Sequence, residues 1–254
     1  MLSGFGWIAL VSTIILAYLI INVAGIIGAG LLIVLPLIIV LLSYLWRKPK
    51  AGVWVAIIMS FMASGLARYL AAPWGLSLDI VLTLSWLSLL LNKDVKVKWK
   101  HAKNEVVLLS LVWFGYLALE IVNPAGNGPV AWFYAMRGIG FYQLLIIPIV
   151  FLLFRSEKDL ANFFNILIIL SLIGTAWGLK QQIIGVDFAE YRWLYEEDHH
   201  EEHILHGVLR VFSFYSDAGA FGTSQAMMSM LSAILFTGPF SSKRKMIYLI
   251  CAVF

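Results

Sequence analysis

The sequence predicts an all-α fold: a polytopic bundle of about eight to nine membrane-spanning helices with its N-terminus in the cytoplasm. Three observations carry this. The chain is 61% hydrophobic and only 13% charged, against about 45–50% apolar and about 25% charged residues in soluble domains. Its mean hydropathy is +0.90. Its 18 lysines and arginines fall in short clusters between long apolar runs. A soluble fold of this length cannot hide so much apolar surface. Lipid accepts it, provided the backbone polar groups bond within helices.

The first two spans are placed at Phe5–Ala24 and Leu31–Trp46. No charged residue occurs from Phe5 to Trp46. A signal peptide has an apolar core of about 7–15 residues behind a basic segment, so a hairpin turning near Gly25–Gly30 fits better. Val53–Ala71 and Leu76–Leu91 follow around the tight turn Ala72–Gly75, then Val106–Val122, Ile139–Phe154, Phe163–Ile184 and Ala218–Phe236. A ninth span begins at Met246 and reaches only Phe254, whereas a spanning helix needs about 20 residues. Residues 1–254 are therefore expected to form a single membrane domain, the N-terminal part of a longer protein. No internal repeat or low-complexity linker interrupts it. The lone Cys251 excludes an intrachain disulfide and a cysteine-rich metal site.

Charge sets the expected direction. Arg47, Lys48 and Lys50 form one cluster, and Lys93, Lys96, Lys98, Lys100 and Lys103 a second. Arg155 with Lys158, and Lys243–Lys245, complete the set, so four loops hold 13 of the 18 basic residues. All four fall on one side of the predicted spans, which the positive-inside rule makes cytoplasmic. The pI of about 9.1 thus reads as topology and not as a nucleic-acid surface. Merging the first two spans would break the alternation. Trp7, Trp46, Trp54, Trp74, Trp132 and Tyr142 at span ends suit belts among the membrane lipids.

The remaining cations, Arg68, Arg137, Lys180, Arg192 and Arg210, lie on the predicted outer side. The extended outer loop, 185–210, is polar; from Lys180 to Arg210 there are three basic and seven acidic residues. Its apolar residues suit a helix lying on the membrane surface. Within it, His199, Glu202 and His203 match the zinc-protease pattern H-x-x-E-H. An acidic solvated segment in which histidines recur by composition is the favoured account of the run, and neither the packed helix nor the third ligand a protease needs is indicated, so the expectation is no metal. Arg68 and Asp79 flank a tight turn symmetrically and are expected to pair, since a charge in a membrane helix needs a partner or water. Glu120 and Arg137 bracket the next outer turn and are expected to pair likewise. Arg210 has only Asp217 nearby, and a guanidinium there could grip phosphate bidentately.

Arg210 opens Arg210-Val211-Phe212-Ser213-Phe214-Tyr215-Ser216-Asp217-Ala218-Gly219-Ala220-Phe221-Gly222, where small residues run into a helix. That stretch, with Arg155-Ser156-Glu157-Lys158-Asp159-Leu160 and Gly178-Leu179-Lys180-Gln181-Gln182 upstream, resembles the O-antigen ligase and polymerase superfamily of bacterial membrane glycosyltransferases. The resemblance covers residues 60–240 in organisation, and the distinctive motif about a dozen positions. Many members have Pro-Asn where this chain has Ala218-Gly219. The resemblance implies a donor glycan on undecaprenyl diphosphate, transferred outside the inner membrane to a glycan or lipid A-core acceptor, without metal or other cofactor. It implies diphosphate binding by outer arginines: Arg210 first, with Arg137 and Arg192 as further substrate-binding candidates. The acceptor hydroxyl needs a base; Glu190 and the His199–His206 group are the exposed candidates, and the catalytic residues stay unassigned. The alternative is a transporter or flippase of lipid-linked polysaccharide. Transporters favour ionisable groups and broken helices near the membrane midplane, whereas these groups cluster at the outer ends.

Overall fold

The computed structural model describes residues 4–70, 72, 74–126 and 128–253, with side chains before Leu32 described at a few positions only. α1 (Gly4–Arg47) is two helices joined at Gly25, where φ is 56° and ψ −136°. Glycine alone adopts that conformation readily, and the break falls where the sequence predicts a turn. α2 (Pro49–Tyr69) and α3 (Trp74–Leu91) pack closely because Gly52 carries no side chain; a Cβ there would meet Ser85 Oγ at 2.0 Å. Ser88 Oγ and Asn92 Nδ2 both donate to the Trp46 carbonyl, fixing the end of α1 beside α3. Part of the turn Ala72–Gly75 lies outside the described residues.

α4 (Glu105–Leu119) starts at Asn104, whose side chain accepts from the Val107 amide. α5 (Pro129–Met136), a π-helical turn over Arg137–Phe141, and α6 (Tyr142–Leu153) form one 25-residue helical run. The span expected at Ile139–Phe154 thus begins at Pro129. Arg137 had marked a loop in the sequence and instead sits inside the helix, neutralised as described below. α7 (Glu157–Ile183) opens with a capping box between Ser156 and Asp159, two reciprocal bonds that satisfy amides at the helix start. Then come α8 (Phe188–Tyr195), the single turn α9 (His200–His203), β1 (Ile204–Leu205), β2 (Val208–Leu209), α10 (Ala218–Thr237) and α11 (Ser242–Val253).

Among the described residues, five helices are long and apolar enough to cross a membrane: Pro49–Tyr69, Trp74–Leu91, Glu105–Val122, Pro129–Leu153 and Glu157–Ile183. Leu32–Arg47 is a shorter apolar helix. The chain is a helical membrane protein by these features. On α4, Leu108, Leu109 and Val112 are each at least 60% exposed. A contiguous apolar face of that kind belongs in lipid and not in water.

The buried apolar side chains gather in separate groups. Leu45, Ala56, Val81 and Leu82 join α1, α2 and α3, and Val53, Leu89, Ile149 and Leu152 join α2, α3 and α6. Ile168, Met228, Tyr248 and Cys251 join α7, α10 and α11. At one end the first three basic loops meet: Lys50 bonds Asp159, and Arg155 Nη2 lies 3.5 Å from His101 Nδ1. At the other end, residues 185–217 fold over α2 and α7.

Candidate functional site

The outer loop expected as one surface helix is a compact cap. The acidic run stops α8: Asp198 has a φ of 62°, which no helix continues. Beyond α9, His206 and Gly207 have φ of 53° and 77°, the pair of positive angles that a two-residue type I′ hairpin requires. Ile204 then pairs with Leu209 and Leu205 with Val208. The chain next dives into the bundle. Phe212 and Ser213 are fully buried and Phe214 nearly so. Gly65 leaves the room, since a Cβ there would meet the Phe214 ring at 2.5 Å.

Ser213 is the pivot of this insertion, with a φ of 51°. Its hydroxyl donates to the Gly174 carbonyl at 2.6 Å. Gln181 Oε1 accepts from the Phe212 and Ser213 amides at 3.2 and 2.8 Å. Arg68 supplies the other side: Nη1 donates to the Ser213 carbonyl at 2.6 Å and Nη2 to the Tyr215 carbonyl. Its guanidinium carbon lies 4.3 Å from the ring centroids of both Trp193 and Phe212. Arg68 therefore does not pair with Asp79. It is only 4% exposed, and the inserted loop presents carbonyls and aromatic faces where the expected partner would have been.

Glu190 likewise departs from expectation. It is fully buried. Its carboxylate accepts from Trp177 Nε1 at 2.8 Å, Gln181 Nε2 at 2.7 Å, Lys180 Nζ at 2.7 Å and the Asp187 amide at 2.9 Å. A carboxylate so occupied has no free lone pair aimed at a substrate hydroxyl. It is a strut. Asp187 caps α8 and takes Tyr69 Oη at 2.6 Å and Lys180 Nζ at 2.9 Å. Burial pushes the Asp187 carboxyl up, and these bonds outweigh burial and hold it below the usual carboxylate range. Lys180 thus holds both carboxylates, Glu190 and Asp187.

The histidines are placed as packing groups. The ring nitrogens of buried His203 lie 2.9 Å from the His199 carbonyl and 3.3 Å from that of Ser216, so whichever carries the proton finds an acceptor. His199 stacks on Trp193 at 4.4 Å. Among the described residues no three metal-ligating groups converge. His206 stays exposed in the hairpin turn, and His200 Nδ1 lies 3.2 Å from Asp198.

Asp79 finds Arg137 instead of Arg68. Arg137 Nη2 bonds Asp79 Oδ2 and lies 3.1 Å from Tyr142 Oη. Arg137 is about two turns inside its helix, which carries it away from Glu120; Glu120 accepts from Asn123 Nδ2 at 2.6 Å instead. So neither expected ion pair forms as drawn. Exchanging Asp79 and Arg137 is expected to restore much of the stability lost in Asp79→Leu or Arg137→Leu alone, each of which strands a half-buried charge at about 1–3 kcal/mol. Exchanging Arg68 and Asp79 should restore nothing. Melting of the purified variants in detergent decides between the two pairings.

Of the other candidates, Arg192 is half-buried, with Nε 3.7 Å from Glu197 and Nη2 3.5 Å from the Arg68 carbonyl. Arg210 is exposed, and Nη1 reaches only the Glu202 carbonyl at 3.4 Å. Asp217, its expected neighbour, caps α10 by accepting from the Ala220 amide at 2.8 Å. That bond and the Ser216 hydroxyl hold its carboxyl below the usual range. A cleft of about 820 Å³ is lined by Gln181, Leu194, Tyr195, His200, Glu201 and Leu209, the last of which precedes Arg210 in the chain. Its walls combine hydroxyl, imidazole and carboxylate groups with the apolar side chains of Leu194 and Leu209. Comparison with protein-family models, curated proteins and solved structures finds no match to the chain. Gln181 and Gly65 carry no role in the sequence analysis; Gln181 lies in a quoted motif, but the amides it accepts from are 31 and 32 residues away.

Proposed function

We propose that the protein is an integral membrane glycosyltransferase of the bacterial inner membrane. It takes a glycan from undecaprenyl diphosphate at the outer face and transfers it to a sugar hydroxyl. In this reading the cap faces outward, the basic loops and N-terminus face the cytoplasm, and eight to nine helices span the bilayer. One observation supports the chemistry above the others. Of the five cations at the cap end, Arg210 is the only one among the described residues that is neither buried nor paired with a carboxylate. It follows Leu209, a wall of the cleft, and its guanidinium touches the residue after Glu201, another wall. A diphosphate beside Arg210 would leave the attached sugar over the cleft. As the glycosyl bond breaks, charge grows on the diphosphate, and a positioned guanidinium stabilises it.

Arg210→Lys keeps the charge and loses the planar fork. Glycan transfer is expected to fall about 10–100-fold, the equivalent of about 1.5–3 kcal/mol for one charged hydrogen bond. Arg210→Ala should be lower still. Surface glycan in cells lacking the native copy measures this, with protein amount checked in the membrane fraction. Near-normal glycan from the lysine variant would overturn the diphosphate role, since a cation merely reaching the interface is replaceable by lysine.

A further inference from the structure

The opposite, basic end carries two adjoining cavities, remote from the cap. The first, about 490 Å³, lies between the end of α1, the start of α2 and the loop at Asp94. Arg47, Lys48 and Lys50 line it against the single carboxylate of Asp94. Lys50 is held by Asp159, while Arg47 and Lys48 have no ion pair among the described residues. Tyr44 and Trp54 stand at its sides. The second cavity, about 450 Å³, is an apolar slot between α2, α6 and α7, walled by Val53, Ile57, Ile146, Val150 and Phe163. Both volumes fall within the roughly 300–1,000 Å³ typical of ligand sites.

Their relation is what carries the inference. Lys50 lines the first and Asp159 the second, and the two are bonded. Leu153 lines the first and the adjacent Phe154 the second. On α2, Lys50 and Trp54 belong to one cavity and Val53 and Ile57 to the other, so they share a wall. A surplus of cations thus lies across one shared wall from an apolar slot left unfilled by side chains, and an unfilled slot forfeits dispersion contacts that an occupant would supply. We propose that this composite site binds one anionic phospholipid, its phosphate on Arg47 and Lys48 and one acyl chain in the slot. Juxtamembrane basic clusters attract anionic headgroups, and the slot adds a demand that a free anion cannot meet.

The test uses the full chain, delipidated in mild detergent, with native mass spectrometry after adding dioleoyl phosphatidylglycerol or dioleoyl phosphatidylcholine. Phosphatidylglycerol should be retained at least about tenfold better, and the double variant R47Q/K48Q should abolish the preference. Val150→Trp, which fills the slot, should lower retention of both lipids. K243Q/R244Q, at another basic cluster, should leave binding intact, showing that the site and not net charge is responsible. Equal retention of the two lipids would overturn the proposal. So would full displacement by an equimolar amount of inorganic phosphate, which would mark a free-anion site, or equal losses in the two double variants.

Discussion

Arg68→Lys is expected to lower the melting midpoint of the detergent-solubilised protein by about 4–8 °C although the charge is kept. The native guanidinium serves the Ser213 and Tyr215 carbonyls together and lies against Trp193 and Phe212. An ammonium on a flexible stem reaches one carbonyl and presents no plane to the rings. Leaving the other carbonyl buried without a donor costs about 1–3 kcal/mol, and about 2 kcal/mol in a chain of this size shifts the midpoint by about 4–8 °C. Trp193 fluorescence reports the same event locally. Trypsin should also cut at Arg192 and Arg210 faster in the variant as the cap loosens. An unchanged midpoint with unchanged cleavage would show that the insertion holds itself without Arg68.

Glu190→Gln is expected to be more damaging still, despite near-identical shape. All four neighbours of the carboxylate are donors. An amide turns one acceptor oxygen into a donor aimed at another donor and removes the buried one of the two carboxylates that hold Lys180. Breaking a buried pair in this way costs about 3–5 kcal/mol. Folding and membrane yield should suffer together, and any loss of the proposed transfer should track the loss of folded protein. A Glu190→Gln protein that melts normally while transfer disappears would reverse the assignment and make Glu190 a base.

These two residues show where a sequence is legible and where it is not. The helices α2, α3, α4 and α10 lie close to their expected positions, because hydropathy and local caps such as Asn104 and Asp217 are written within a few residues. The gathering of basic loops at one end was legible for the same reason. The pairing of charges was not. Symmetry about a turn suggested Arg68 with Asp79, yet the true partners lie 145 and 58 residues away, respectively. Arg137 looked like a loop residue because its neutralising carboxylate belongs to another helix. Glu190 looks exposed because its segment is polar, while three of the four donors around it come from α7. The hairpin had a local signal in His206-Gly207 between two apolar pairs, weaker than Asn-Gly and masked by the acidic run.

The insertion at Phe212–Phe214 also constrains how the protein is made. Its contacts reach back to Gly65 and Arg68 and to Gly174 and Gln181, so it cannot close until both helices are in place. During synthesis the N-terminal helices emerge first, and α2 must wait through roughly 145 residues with Arg68 unsheathed. Closure over so long a stretch is an entropically late event. Through that interval Arg68 needs water or headgroups around it, which holds the end of α2 at the membrane surface. The same arginine that locks the finished cap therefore sets the depth at which α2 rests before there is a cap to lock.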